Sequence, residues 1–342
     1  MLTNNAGSPS GGGVRVAVAL MRDDYGVPGR GTSHEYQNLF LPLADVYPTA
    51  VLFDYAARIR TSGRRGMNDE LIALVEQTRP DITIIALFTD EFDPSTIAEV
   101  GRFTSTVAYF FDDAWRQRYA QSWARHFRFV TTPERSGLDV FRRAGVTNAI
   151  LSPFGWNDRL YGPRDVPVEL DVSFVGLWHP HREWVVAQLR KAGIAVTAFG
   201  HGWSSGRLSL DEMVRIFSAT KISLNLDNST CWDTQYLRSH PRGLLSNLRH
   251  KKFVRQVKAR HFELAGSGAF QLSFAAPGLS DFFVNGSEIV TFADIADLVS
   301  KVRHYLAHAD ERRAIAAAAL RRARAEHTAQ RRARELVEDV LR

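Results

Sequence analysis

The sequence predicts an α/β protein made of two consecutive doubly wound halves, each a parallel sheet with helices on both faces. Three observations carry this expectation. Short apolar, β-branched runs alternate with longer amphipathic stretches from Val14 almost to the C-terminus; the alternation pauses once, over Asn157–Leu170; and it restarts in the same strand-then-helix order. At roughly 150 residues per domain, a chain of 342 residues has room for two cores.

In the first half, strands are expected at Val14–Met21, Ala50–Asp54, Ile82–Phe88, Val107–Phe111, Phe129–Thr131 and Ala149–Ser152. Helices are expected between them at His34–Ala44, Asn68–Thr78, Pro94–Arg102, Ala114–Arg125 and Pro133–Ala144. Asn157–Leu170 holds Gly162, Pro163 and Pro167 and shows no periodicity, which marks a domain boundary near residue 160. The second half reads as strands at Val172–Val175, Ala195–Phe199, Ile222–Leu226, Phe270–Phe274 and Ile289–Phe292. Its helices fall at about Arg182–Ala192, at Leu210–Ala219 and near Phe262. A helical, polar end follows, with Ile295–Ala307 and then an Ala/Arg-rich run from Asp310 to Arg342; Asp294 and Asp310 are the expected caps.

Composition bounds the function. Hydrophobic residues at 45% and charged residues at 23% describe a folded globular chain, not a disordered one. The net charge of +6 favours anionic partners, phosphates and nucleotides among them. The lone cysteine, Cys231, forms no internal disulfide, which fits the reduced cytosol. No apolar run reaches the roughly 20 residues of a membrane span. Residues 1–13 lack an apolar core and read as a flexible tail, so the expected location is cytoplasmic. There is no phosphate-loop motif, no intact G-x-G-x-x-G after the first strand and no zinc spacing.

Chemistry is expected at strand ends. The run from Asp171 to Arg182 is a buried strand ending at Gly176, where backbone can approach a ligand, followed by a helix start at which Arg182 can add a phosphate contact. A plain tight turn with a solvated arginine fits the same residues. The next strand ends in Phe199-Gly-His-Gly-Trp203, a glycine-flanked loop in which Gly200 and Trp203 can hold a base or can simply be a loop over a buried tryptophan. Farther on, Lys258 and Arg260 stand ahead of a short helix that contains Glu263 and closes at Gly266 and Gly268. Two cations at the positive end of a helix are poorly placed unless an anion lies there. A carboxylate one turn later suits a sugar diol.

In the first half, Asp112 and Asp113 follow a very apolar strand, and His34 follows the glycine-rich Gly26–Gly31. These three are the candidate general bases. Capping of a helix near Ala114 explains Asp113 equally well.

Asp171 to Trp203, Lys221-Ile-Ser-Leu-Asn225, Arg260-His-Phe-Glu263 through Gly268, and Gly286-Ser-Glu-Ile-Val290 together resemble the CgeB-like, spore-maturation-type glycosyltransferases. Tyr109 to Trp115, Val130-Thr-Thr132, Ser152 to Asn157 and the ending Tyr305 to His308, Arg312 and His327-Thr328 are similar to that family too. The resemblance implies the GT-B fold, with an acceptor domain over residues 14–160, a donor domain over 161–326 and a final helix over 327–342 returning to the first domain. It implies a nucleoside-diphosphate sugar as co-substrate, of UDP, GDP or dTDP type, with no further cofactor and no metal. Glu263 would take the ribose hydroxyls, Lys258 and Arg260 would lie toward the diphosphate, Gly176 beneath it and Gly200–Trp203 near the base, with Asn225 and Gly268 on the same donor side. A paired aspartate also suits a metal in a GT-A transferase, but the donor-like residues come in the second half.

One departure is a basic stretch between Asn225 and Val257, with Arg238, Arg242, Arg249, Lys251, Lys252 and Arg255. It fits an anionic acceptor or a solvated helix face, and it supports an alternative function as a non-catalytic binder of nucleic acid or another polyanion. The acceptor stays open among an anionic polymer, a protein, a lipid and modified nucleic acid.

Overall fold

The computed structural model describes residues 13–229, 233–239 and 254–342. The tail up to residue 12, Cys231 and the basic residues Arg242, Arg249, Lys251 and Lys252 lie outside the described residues.

Strands β1 (Val16–Leu20), β2 (Val51–Asp54), β3 (Ile82–Ala86), β4 (Ser105–Tyr109), β5 (Phe129–Thr132) and β6 (Ala149–Leu151) form one sheet in the order β2-β1-β3-β4-β5-β6. Strands β7 (Leu170–Val175), β8 (Val196–Phe199), β9 (Thr220–Asn225), β10 (Gln271–Phe274) and β11 (Val290–Phe292) form the second, in the order β11-β10-β9-β7-β8. Pairing is parallel from β2 to β5 in the first sheet and throughout the second, as in Ala17 with Val51, Val16 with Ile82 and Val172 with Ile222. Two doubly wound sheets follow from the alternating pattern, because a parallel crossover needs the intervening helix.

By contact the chain forms two compact units. Among the described residues, one comprises 13–109, Trp123–Val130 and Val337–Arg342; the other comprises Phe110–Ser122 and those from Thr131 to Leu336. In the first unit, β1 and β3 are buried along their whole length, which requires helices on both faces. Met67, Leu71 and Val75 of the helix Tyr55–Thr78 supply part of that cover. Periodicity places this helix at Asn68–Thr78, whereas it starts at Tyr55, where the Asp54 side chain accepts from the Ala57 N–H at 3.2 Å. Its first half carries no apolar stripe and breaks at Gly63, whose φ of 70° interrupts the helix. The expected helix His34–Ala44 is π-helical over Tyr36–Phe40 and α-helical over Leu41–Val46. Pro42 lacks the N–H that would continue an even i→i−4 ladder there.

In the second unit, Val172, Phe174, Ile222, Leu224, Leu272 and Phe274 form the centre of the core. The helices Pro180–Lys191 and Ile295–Ala307 contribute Trp184, Leu189, Leu298 and Val302 to it. Asp294 caps the latter helix, accepting from the Asp297 N–H at 2.9 Å. The Arg-rich end is two helices, Ala309–Glu326 and Ala329–Leu341. Asp310 does not cap the first of them: His308 holds the cap position and Asp310 pairs with Arg313 in the first turn. The break between them is stitched to Trp156, whose N–H donates to the His327 carbonyl at 3.0 Å and whose carbonyl accepts from the Ala329 N–H at 2.8 Å.

Candidate functional site

In the second sheet β7 lies between β8 and β9, so the strand order reverses at the β7/β9 edge. In open α/β sheets, ligands bind beyond the carboxyl ends of the strands at such a reversal. Gly176 follows β7 and Asn225 ends β9, so both stand at that edge. A Cβ on Gly200, at φ 129°, would sit 2.1 Å from the Gly176 carbonyl oxygen, so the two loops touch backbone to backbone. The Trp203 Nε1–H donates to that same oxygen at 3.0 Å, tying the Gly200–Trp203 loop over the end of β7.

Arg182 spans the reversal. Its Nε donates to the Leu226 and Asp227 carbonyls at 3.0 and 3.2 Å, and its Nη1 donates to the Leu177 carbonyl at 2.8 Å. Burial lowers its guanidinium to about 10, with the charge of Arg260 acting in the same direction and that of Asp227 opposing. Asp227 is buried and paired with Arg255 at 3.1 Å. The buried Nδ2 of Asn225 has no hydrogen-bond partner among the described residues.

The segment Gln256 to Glu263 brings together three of the expected residues. Arg260 Nη1 lies 2.6 Å from Glu263 Oε2, and Tyr161 donates its hydroxyl to Glu263 Oε1 at 3.1 Å. Glu263 is only 4% exposed. The Lys258 Nζ lies 2.9 Å from Asp112 Oδ1. The cations that look misplaced at a helix start are therefore each matched by a carboxylate within the protein. Gly268, at φ 69°, lies just beyond the helix Ala259–Gly266. His261, fully buried in that helix, accepts from the Lys258 N–H at 3.0 Å and lies 2.9 Å from Ser273 Oγ; burial drives its imidazole down to about 4.

Asp112 and Asp113 occupy a turn after β4, and the helix begins at Gln117, three residues later than periodicity places it. Asp113 is buried, and burial pushes its carboxyl up to about 6 against a hydrogen bond from Thr132. Glu134, just past β5, is buried as well and is pushed up to about 7, accepting from the Val257 N–H and from the Ser136 hydroxyl. His34 belongs to the first unit, where its Nδ1 lies 3.0 Å from the Asn38 amide. Sequence reasoning missed Glu134, Tyr161 and Asp227. Glu134 and Asp227 stand at strand ends as Asp112 does, and that position was the available signal.

Residues 182–338 match the family model described as "Glycosyl transferase-like". No curated protein matches the chain in sequence. Among solved structures, sucrose-phosphate synthase from Thermosynechococcus elongatus is similar with a TM-score of 0.65 at 9% identity, over 95% of this chain and 98% of that one. HepE of Anabaena, solved with UDP-glucose, gives 0.63 at 10% identity over 95% and 99%. AviGT4, a glycosyltransferase involved in avilamycin A biosynthesis, gives 0.60 at 13% identity over 96% and 97%. The chain has the GT-B glycosyltransferase fold. Among the described residues no helix is long and apolar enough to cross a membrane.

Proposed function

We propose that this protein is a cytoplasmic, CgeB-like glycosyltransferase that moves a sugar from a nucleoside-diphosphate sugar to a hydroxyl-bearing acceptor without a bound metal ion. One observation carries the reading: Arg182, Lys258 and Arg260 gather with the carboxylate Glu263 beside the strand-order reversal of the second sheet. The UDP-glucose bound by HepE favours a uridine diphosphate donor.

In this reading the bond from the anomeric carbon to the β-phosphate oxygen breaks, a bond to the acceptor oxygen forms, and the acceptor proton passes to a base. Asp112 and Asp113 are the base candidates in the donor unit, and His34 is the candidate at the end of the first sheet. Negative charge grows on the leaving diphosphate, and fixed cations stabilise it without reorganising. Glu263 is oriented by Arg260 and Tyr161, and its carboxylate is an acceptor of the kind a ribose hydroxyl requires. The Asn225 amide supplies a donor for a phosphate or base oxygen.

The test is calorimetric titration of UDP, GDP and dTDP into the wild type and Glu263→Ala, with melting curves of both. One nucleotide binds the wild type and is lost in the variant. Unaltered affinities across the panel would end the site assignment, and no binding to the wild type would end the reading.

A further inference from the structure

Beside the cations, and lined by none of them, lies a cavity of about 230 Å³. It is lined by Asp113, Thr132 and Glu134, by Gln117 and Gln121 of one helix, and by Val140 and Phe141 of another. Drug-sized ligands fill roughly 300–1,000 Å³, so this space suits a single ring. Its chemistry is two-sided. Amides, carboxyls and hydroxyls both accept and donate, as a polyol requires, while Phe141 and Val140 offer an apolar wall to the C–H face of a ring. Two carboxyls in its lining oppose a phosphate or carboxylate ligand.

The cavity is also placed beside the proposed donor site. Glu134 accepts from the Val257 N–H, and Val257 is followed directly by Lys258. The Gln256 side chain donates to the Phe111 carbonyl at 2.8 Å, so consecutive residues 256–258 are held to the loops that carry the cavity.

We propose that this cavity is the acceptor subsite and takes one neutral, hydroxyl-bearing ring of monosaccharide size, with Phe141 and Val140 against its apolar face. The assignment rests on the glycosyltransferase reading.

The experiment is saturation-transfer NMR on the full chain with methyl α-glucoside, methyl α-galactoside and glucose 6-phosphate, beside UDP calorimetry on the same samples. Val140→Trp fills the cavity; Gln121→Leu preserves volume but removes an amide. Neutral glycosides bind the wild type, lose about tenfold or more in Val140→Trp and about three- to tenfold in Gln121→Leu, while UDP affinity holds. Should Val140→Trp fail to fold, Gln121→Leu decides alone. Equal glycoside binding in both variants, no neutral glycoside bound at tens of millimolar, or stronger binding of the phosphate ester overturns the proposal. UDP binding without glycoside binding rejects the cavity and leaves the donor reading intact; the reverse pattern rejects the donor reading.

Discussion

The Nζ of Lys258 and Oδ1 of Asp112 stand 2.9 Å apart, joining the entry of the helix Ala259–Gly266 to the turn after β4. Asp112 is nearly half exposed, and such pairs contribute at most about 1 kcal/mol to folding. In the proposed function the pair holds a lysine where a second anion can replace the carboxylate; a diphosphate bound there would compete with Asp112 and release it toward an acceptor proton.

Asp112→Asn separates these roles. Without the competing charge, UDP binds about threefold tighter, and the melting point moves little. Transfer slows by about tenfold or more where Asp112 is the base. Calorimetry and product release measured on one preparation check both halves; slower transfer with weaker UDP binding would mean that Asp112 organises the donor site instead.

The pH dependence of stability has two opposed sources. In the folded protein Asp113 and Glu134 keep their protons up to about 6 and about 7, against about 4 in an unfolded chain. Folded protein then binds more protons than unfolded protein, so their contribution is full at low pH and is lost as pH rises through the folded values. His261 runs the other way: held at about 4 by burial, against about 6.5 unfolded, it withdraws stability as pH falls. From about pH 4.5 to about pH 6 the two carboxyls outweigh the one histidine, so wild-type stability falls as pH rises. Glu134→Gln leaves Asp113 and His261 to balance each other. Its melting temperature is therefore nearly level across that range, and the wild-type decline toward pH 7 disappears. Parallel melting profiles would mean that Glu134 is ionised throughout.

The fold was legible because its signals are local. β3 reads as an apolar run, and the Asp294 cap stands immediately before an amphipathic helix. Where the sequence misled, a tertiary or backbone cause is visible. The first half of Tyr55–Thr78 is Arg-rich and broken at Gly63, and Pro42 turns one expected helix into two kinds. The site was legible in its residue types and not in its partnerships. Glu263, Lys258 and Arg260 are conspicuous in the chain, but Tyr161 lies 102 positions from Glu263 and Asp112 lies 146 from Lys258. No spacing rule reaches across such loops. Glu134 is ordinary until burial removes its water.

Gly200→Ala tests the close approach of the two glycine loops. A methyl there meets the Gly176 carbonyl oxygen at 2.1 Å and requires a φ that side chains rarely adopt. Backbone must move, at a cost of about 2–4 kcal/mol, and Trp203 loses its bond to Gly176. The variant melts lower than the wild type. Under the proposed donor site UDP affinity falls with it, because the displaced loops would form one wall of the crevice; full UDP affinity in a destabilised Gly200→Ala would move the base away from this loop.

Arg260→Lys distinguishes a charge from a shaped cation. Arg260 meets Glu263 at 2.6 Å, Met213 Sδ at 3.1 Å and the Phe217 ring with its guanidinium carbon 5.0 Å from the centroid. A planar, delocalised group satisfies these three neighbours together, whereas an ammonium is a compact point charge with a stronger hold on water. Lysine would keep the sign of the site and lose both the stacking on Phe217 and the fixed aim at Glu263. With the carboxylate less firmly oriented, UDP affinity drops about tenfold and stability drops about 1–2 kcal/mol. If charge alone mattered, Arg260→Lys would bind UDP like the wild type and Arg260→Gln would not. Calorimetry on that pair decides whether the guanidinium positions Glu263 or only neutralises it.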